Sequence, residues 1–206
     1  MGLLFRIDCN DNNSYMLGEE TISREKLSEE QQKHYDWRFA ENEKIHSAVC
    51  EICGSKKEEY YINSNFKLRR KVYDISSTYD GHIIVSEKFR TFCIRKNYHG
   101  IEFIQIKKGV PFYVFVINNI LELDEENMKI RKSNFCNLCN EYSSIVGPNP
   151  LKFKNNLVEL EKTFYISDIK FGSAHEKQSI MFINDEIIKE LEIEKIRGYS
   201  IHKLNR

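Results

Sequence analysis

Two Cys-x-x-Cys pairs constrain this chain more than any other feature of its sequence. The pairs are Cys50 with Cys53 and Cys136 with Cys139, and they use four of the six cysteines. A turn of this spacing supplies two thiolates at the right bite for Zn²⁺, which prefers four tetrahedral ligands. We therefore expect the four thiolates to hold one structural Zn²⁺ per chain, with no coordination position open to water or substrate.

The residue that follows each pair favours the same local backbone. A turn of this kind often ends on a residue with positive φ, which glycine adopts freely and asparagine tolerates better than most residues. Gly54 and Asn140 occupy these two positions. The sequence thus predicts two turns that are alike in backbone as well as in ligands.

Three other interpretations of the cysteines stay open. The pairs can be reduced core thiols that share no metal, separate redox dithiols, or disulfides of a secreted chain. The spacer from Cys53 to Cys136 is far longer than that of a compact zinc ribbon, which is the main objection to a shared metal. His46, four residues before Cys50, is a further candidate ligand.

Composition and charge are those of an ordinary globular protein. Hydrophobic residues make up 41% of the 206 residues and charged residues 30%. Lys plus Arg equals Asp plus Glu at 31 each, and this balance disfavours a nucleic-acid binder. The N-terminus lacks the apolar run of a secretory signal, and no segment approaches the roughly 20 apolar residues of a membrane span. We therefore expect a cytoplasmic protein without a membrane partner.

A strand-helix-strand pattern begins in the middle of the chain. The apolar run Ile83 to Val85 predicts a strand, and Ser86 predicts the N-cap of a helix that ends near Lys96. Gly100 suits the turn after the helix, and residues 101–106 predict the next strand. The helix would bury apolar side chains at helical spacing, which makes its cysteine, at position 93, a core thiol.

The same pattern returns near the end of the chain without a gap. The second copy covers residues 181–204, with Asn184 in the place of the Ser86 cap and Gly198 in the place of Gly100. An apolar residue stands at most of the matched strand and helix positions. The shared pattern indicates an internal duplication.

We therefore expect an α+β protein built from two similar lobes that form one unit. The lobes would span residues 1–107 and 108–206, with first strands at Leu3–Cys9 and Val110–Ile117. Each lobe would continue with a Cys-x-x-Cys hairpin, a return strand (Tyr60–Ile62 in the first) and the strand-helix-strand unit. Two equivalent turns can meet at a pseudo-twofold axis, which would answer the objection of the long spacer.

The segment between the first strand and the first cysteine pair predicts a helix over about Ser23 to Lys44. Ser28 and Gln31 are spaced as a capping box. We interpret Trp37 as a residue that packs this helix against the core.

The sequence does not indicate an enzyme. It contains neither a Gly-rich phosphate loop nor a Gly-x-Ser-x-Gly elbow, and the six histidines form no His-x-x-x-His pair. His175 beside Glu176 is an acid/base candidate only in the loosest sense. A zinc ion with four Cys ligands is closed, so we assign no catalytic residues and no further cofactor.

The two cysteine turns resemble those of the bacterial double-CxxCG motif proteins. Val85–Phe89 and Gly100–Phe103 are similar to the serine-start helix and glycine-led strand of related immunity families, although Asn140 replaces the glycine of the second motif. The resemblance implies a cytoplasmic immunity protein that binds a cognate bacterial toxin and blocks it by stoichiometric occlusion. It leaves open the toxin's activity and the oligomeric state.

A zinc-containing nucleic-acid-binding protein is the alternative. Lys67, Arg69, Arg70 and Lys71 form a local basic cluster next to Phe66. Such a cluster can contact phosphates, but it is also typical of a solvated face.

Overall fold

Strands dominate the part of the chain that the structure describes. This computed structural model covers residues 3–18, 24–34, 40–41, 44–147, 150–154 and 160–204. The described α-helices are α1 (Glu29–His34), α2 (Glu87–Arg95) and α3 (Asp185–Ile193). The described strands are β1 (Leu4–Cys9), β2 (Ala40–Glu41), β3 (Lys44–Ile45), β4 (Ile75–Ser77), β5 (Ile83–Ser86), β6 (Ile101–Gln105), β7 (Phe112–Ile117), β8 (Ile120–Leu121), β9 (Arg131–Cys136), β10 (Glu141–Val146), β11 (Tyr165–Ser173), β12 (Gln178–Asn184) and β13 (Tyr199–Lys203). The expected α+β class is confirmed. In these residues, no helix combines the length and the apolar character that a membrane crossing requires.

Two sheets carry the architecture. The larger has the strand order β13-β1-β12-β11-β10-β9, with the short β8 parallel to β11. The smaller has the order β4-β5-β7-β6. β2 and β3 form a separate two-stranded hairpin.

The two sheets share one order of strand pairing. Read from one edge, the smaller sheet runs β6-β7-β5-β4 and the larger begins β13-β1-β12-β11, with neighbouring strands antiparallel throughout. α2 follows β5 directly, and α3 follows β12 directly. Each strand of the smaller sheet therefore has a counterpart at the same place in the larger one.

The strand pairing crosses the boundary that we expected between residues 107 and 108. β1 lies between β12 and β13, whereas β7 lies between β5 and β6. β7 is the apolar segment FYVFVI and is buried along nearly its whole length, which suits a strand with neighbours on both sides. The first strand of each expected lobe is thus part of the other lobe's sheet.

Both helices begin at the predicted caps. The Ser86 side chain accepts a hydrogen bond from the Phe89 backbone N–H, and the Asn184 side chain accepts one from Ile187. Each bond satisfies one of the backbone donors that a helix leaves unpaired at its start. The predictions of both helices are confirmed.

One hydrophobic cluster contains side chains from α2, α3 and both sheets. Phe89 of α2 contacts Phe115 of β7 edge to face, with ring centroids 5.3 Å apart, and Phe164 completes the aromatic group. Ile187 and Leu191 of α3 belong to the same cluster. Burial of each such side chain stabilises the fold by about 1.5–3 kcal/mol. The two sheets are therefore held by a common core.

Two local predictions from the first half of the chain are wrong. Residues 40–41 and 44–45 form short strands, so the helix predicted to Lys44 does not extend that far; position 37, the tryptophan, lies outside the described residues. Residues 60–62 are not a strand, because the chain returns from the first cysteine turn earlier, at Lys56. The capping box is confirmed: Gln31 N–H donates to Ser28 Oγ at 3.2 Å, and Ser28 N–H donates to Gln31 Oε1 at 2.8 Å.

Candidate metal centre

The four cysteines of the two pairs lie together. Their sulfur atoms are all within 4.8 Å of one another, with Cys50 Sγ 3.8 Å from Cys136 Sγ and Cys53 Sγ 3.4 Å from Cys139 Sγ. Zn–S bonds of about 2.3 Å in a tetrahedron place the sulfurs about 3.8 Å apart. The cluster therefore has the size of a four-thiolate metal site. Residues far apart in the sequence thus bring their sulfur atoms to one cluster.

The disulfide interpretation does not describe this arrangement. Each of the six cysteines lies within the described ranges, and none of them forms a disulfide. The sulfur separations of 3.4 and 3.8 Å also exceed the S–S bond length of about 2.05 Å.

The first turn is a short antiparallel return. Val49 bridges Lys56, and within this return Cys50 N–H donates to the Ser55 carbonyl at 2.7 Å. Gly54 N–H donates to the Cys50 carbonyl at 2.9 Å, and Gly54 has φ +73°. These bonds turn both sulfurs of the pair to the same side.

The second turn connects β9 and β10. β9 ends at Cys136, which pairs in register with Glu141 at the start of β10. Asn140 has φ +56°, in the same left-handed region as the glycine of the first turn. The predicted likeness of the two turns in backbone is confirmed, and each turn brings a cysteine pair to the sulfur cluster.

Burial and backbone dipoles act on the sulfurs in opposite directions. Burial raises the pKa of Cys53, and it raises the pKa of Cys139, where the neighbouring Cys53 sulfur adds to the effect. Burial also acts to raise the pKa of Cys136, but hydrogen bonds from the backbone N–H groups of Cys139 and Leu138 outweigh it and lower that pKa. Amides aimed at a buried sulfur favour its thiolate, the form that binds metal.

Helix α1 forms hydrogen bonds with the first cysteine turn and with β9, the strand that leads into the second turn. Gln31 Nε2 donates to the Glu51 carbonyl in the first turn at 2.7 Å, and Asn134 Nδ2 of β9 donates to the Lys33 carbonyl at 3.4 Å. Such outer contacts orient ligands at metal sites. The capping-box spacing located Gln31, but nothing in the sequence indicated that its amide reaches the cysteine turn.

The other candidate residues lie elsewhere. His46 Nδ1 accepts a hydrogen bond from Ala48 N–H at 3.1 Å, and its ring packs on Tyr61 outside the sulfur cluster. Cys93 is a core thiol, as predicted, and burial raises its pKa. His175 Nε2 lies 3.9 Å from Glu176 Oε1. The structure does not bring these side chains to the cysteine cluster.

Two further groups of polar side chains are candidate sites. One is the predicted basic cluster, and the other is a buried acid–histidine pair that the sequence did not predict. The basic side chains are exposed on the loop before β4; they are Lys67, Arg69, Arg70 and Lys71. Asp80 and His82 are buried next to each other in the loop between β4 and β5. The turn signal Asp80-Gly81 marks a loop in the sequence, but it gives no sign that the flanking acid and histidine are buried.

A scan against protein-family models finds no match, and a search of curated proteins finds no significant sequence match.

Proposed function

We propose that this chain is a zinc-stabilised binding protein of the cytoplasm that neutralises a cognate bacterial toxin by stoichiometric occlusion. The observation that carries the proposal is the cluster of four sulfurs, three of them on buried residues, built from two like turns. A metal ion with four thiolate ligands has a structural role, because no coordination position remains for a substrate. The double Cys-x-x-Cys arrangement is also the basis of the resemblance to immunity families. Function then belongs to the protein surface.

Zn²⁺ is the ion that suits the cluster best. Thiolates are soft ligands, and a tetrahedral set of four selects zinc or iron-sulfur chemistry. The pairs at 3.4 and 3.8 Å fit a single ion among four sulfurs, with one Zn²⁺ per chain. In this proposal the ion ties the loop after β3 to the β9–β10 hairpin.

We also propose that the fold arose by duplication of one strand-helix-strand unit. The matched order of the two sheets, the helix after β5 and after β12, and the caps Ser86 and Asn184 support it. Gly100 and Gly198 both have positive φ after their helices. In this scheme β1 and β7 are equivalent strands, and each pairs with the strands of the other copy.

A growth assay tests the proposed function. The chain is co-expressed with the product of a toxin gene adjacent to its own, and purified proteins are mixed to measure a one-to-one complex. We expect growth to be restored and the complex to form without any loss or modification of the toxin. A well-expressed chain that neither protects cells nor binds the product would overturn the proposal.

Nucleic-acid binding is the second candidate, favoured by the exposure of the four basic side chains of residues 67–71. A mobility-shift assay with DNA and RNA at about 50 mM salt tests it, because phosphate binding strengthens as salt falls. Retardation that is lost in a variant with all four basic residues changed to Ser would support this function. An unshifted probe would exclude it.

A further inference from the structure

A cleft of about 430 Å³ lies next to the first cysteine turn. Residues of α1, of β3 and of the loop between β3 and the turn line it, and none of the four clustered cysteines does. Small-molecule sites in proteins usually have volumes of about 300–1,000 Å³. The cleft therefore has the size of a ligand site that is separate from the metal centre.

Cations outnumber acids on the walls of this cleft. Three lysines line it, Lys26, Lys44 and Lys57, against one carboxylate, that of Glu51. The chain as a whole has 31 basic and 31 acidic residues, so the positive surplus is a local property of the cleft. A cleft lined by one sign of charge raises the local concentration of ligands of the other sign. Anions are the ligands that this cleft favours.

Lys44 and Lys57 are available to such a ligand. Both side chains are exposed, and neither forms an ion pair with a residue that the structure describes. By contrast, Lys132, Lys154 and Lys162 each pair with a glutamate. An ammonium group without an ion-pair partner offers its three donors to an anion without first losing an internal contact.

The backbone that carries the two lysines is held in place. Lys57 N–H donates to the Ala48 carbonyl at 2.8 Å, and Ala48 N–H donates to His46 Nδ1 at 3.1 Å. Ala48 is fully buried, in the hydrophobic cluster that also contains Val49. Lys44 precedes this loop in β3. The segments on both sides of the cleft are therefore ordered before a ligand binds, which lowers the entropy cost of binding.

The groups on the cleft suit a phosphate better than a carboxylate. A phosphomonoester carries about −1.5 to −2 charges at pH 7 and three strong acceptor oxygens, which match ammonium groups on separate segments. A carboxylate has one charge and two oxygens. Ser47 is exposed on the same cleft and adds a hydroxyl donor, and the half-buried Ile45 adds apolar surface.

We propose that this cleft binds a small phosphomonoester, with its phosphate on Lys44, Lys57 and Ser47 and its organic part against Ile45. The volume of the cleft accommodates the organic part as well as the phosphate. The site uses no ligand of the metal centre, and it is independent of the proposed toxin binding.

Phenyl phosphate and benzoate are the probes, because they share an aromatic ring and differ in the anionic group. The intact chain is labelled with ¹⁵N, and the backbone amides of residues 44–57 are followed by NMR in phosphate-free buffer at a constant ionic strength of about 50 mM. We expect saturable shifts with phenyl phosphate and a dissociation constant of about 1 mM or tighter. Benzoate should bind at least about 5-fold more weakly. Equal affinity for both probes, or no saturable shift with phenyl phosphate, would overturn the proposal.

Inorganic phosphate distinguishes the ester from the free ion. It should bind more weakly than phenyl phosphate, because it leaves the apolar surface of Ile45 uncovered. Inorganic phosphate that binds as tightly as phenyl phosphate, or more tightly, would contradict the assignment to an ester.

Substitutions of single charges locate the site. Lys44→Gln and Lys57→Gln should each weaken phenyl phosphate binding about 5-fold. Lys108→Gln removes the same charge from an exposed lysine outside the cleft and should leave the affinity unchanged. Glu51→Gln removes the carboxylate of the cleft and should strengthen binding. An unchanged affinity in either cleft lysine variant, an equal loss in Lys108→Gln, or weaker binding in Glu51→Gln would contradict the assignment.

Discussion

At the scale of single residues, the cysteine ligands carry the first prediction. Cys50→Ser and Cys136→Ser should each lose the zinc of the purified chain and lower the free energy of unfolding by more than about 4 kcal/mol. The ligand set is incomplete in either case, because each turn supplies half of it. Elemental analysis and urea unfolding measure the two effects.

Cys9→Ser is the matched control, since Cys9 is half-buried and lies outside the sulfur cluster. It should retain about one zinc per chain. Full zinc in Cys136→Ser would show that the second turn is not part of the site.

Alanine substitutions of the two glycines that follow α2 and α3 should destabilise the fold to different extents. A Cβ at Gly198 would lie 2.0 Å from the Ile75 carbonyl oxygen, whereas a Cβ at Gly100 would lie 2.1 Å from the Asn119 side chain. The backbone cannot move aside as readily as a side chain. Gly198→Ala should therefore lower the free energy of unfolding by about 3 kcal/mol or more, and Gly100→Ala by less. Urea unfolding of both variants checks the order, and the reverse order would contradict it.

At the scale of elements, Glu190 ties α3 to the end of α2. Its carboxylate accepts hydrogen bonds from Lys96 and Lys162 at 2.8 Å and from the Tyr98 hydroxyl. Partial burial acts to raise the pKa of Glu190, but these three donors outweigh it and lower the pKa to about 2. The hydrogen bonds thus favour the charged form in the folded chain.

The depressed pKa of Glu190 predicts a loss of stability in acid. The contribution is complete above about pH 4.5, where the unfolded carboxyl is ionised, and is lost as pH falls toward 2. After screening by solvent we expect about 1–2 kcal/mol from it at neutral pH. Glu190→Gln should flatten this part of the stability–pH curve in urea unfolding, and Glu192→Gln, at an exposed position of the same helix, should not. A parallel curve for Glu190→Gln would refute the assignment.

Local signals explain which elements and site residues the sequence predicted. α2 and α3 follow from a cap residue and apolar spacing within one segment, and the likeness of the two cysteine turns follows from Gly54 and Asn140. The reach of Gln31 to the cysteine turn depends on a contact between separate segments of the chain. The burial of Asp80 was missed for the same reason, since its carboxylate accepts hydrogen bonds from Met16 and Leu17, which lie far earlier in the chain.

At the scale of the whole molecule, the exchange of β1 and β7 between the two sheets determines whether one half of the chain can fold without the other. The fragment 1–107 lacks β7, the strand that lies between β5 and β6. The fragment should therefore be unfolded by circular dichroism and lack a cooperative urea transition, unlike the intact chain. Cooperative folding of 1–107 would show that β7 is dispensable for the smaller sheet.

The position of β1 in the larger sheet affects the order in which the two sheets can form during translation. β1 is the first of the described strands to be synthesised, but its partners β12 and β13 are the last of them. The smaller sheet can close once residue 117 has emerged, whereas β1 stays unpaired until β12 and β13 have emerged. Such long-range pairing slows folding and exposes a strand edge meanwhile. Synthesis of β12 and β13 is thus the event that allows the larger sheet to form around β1.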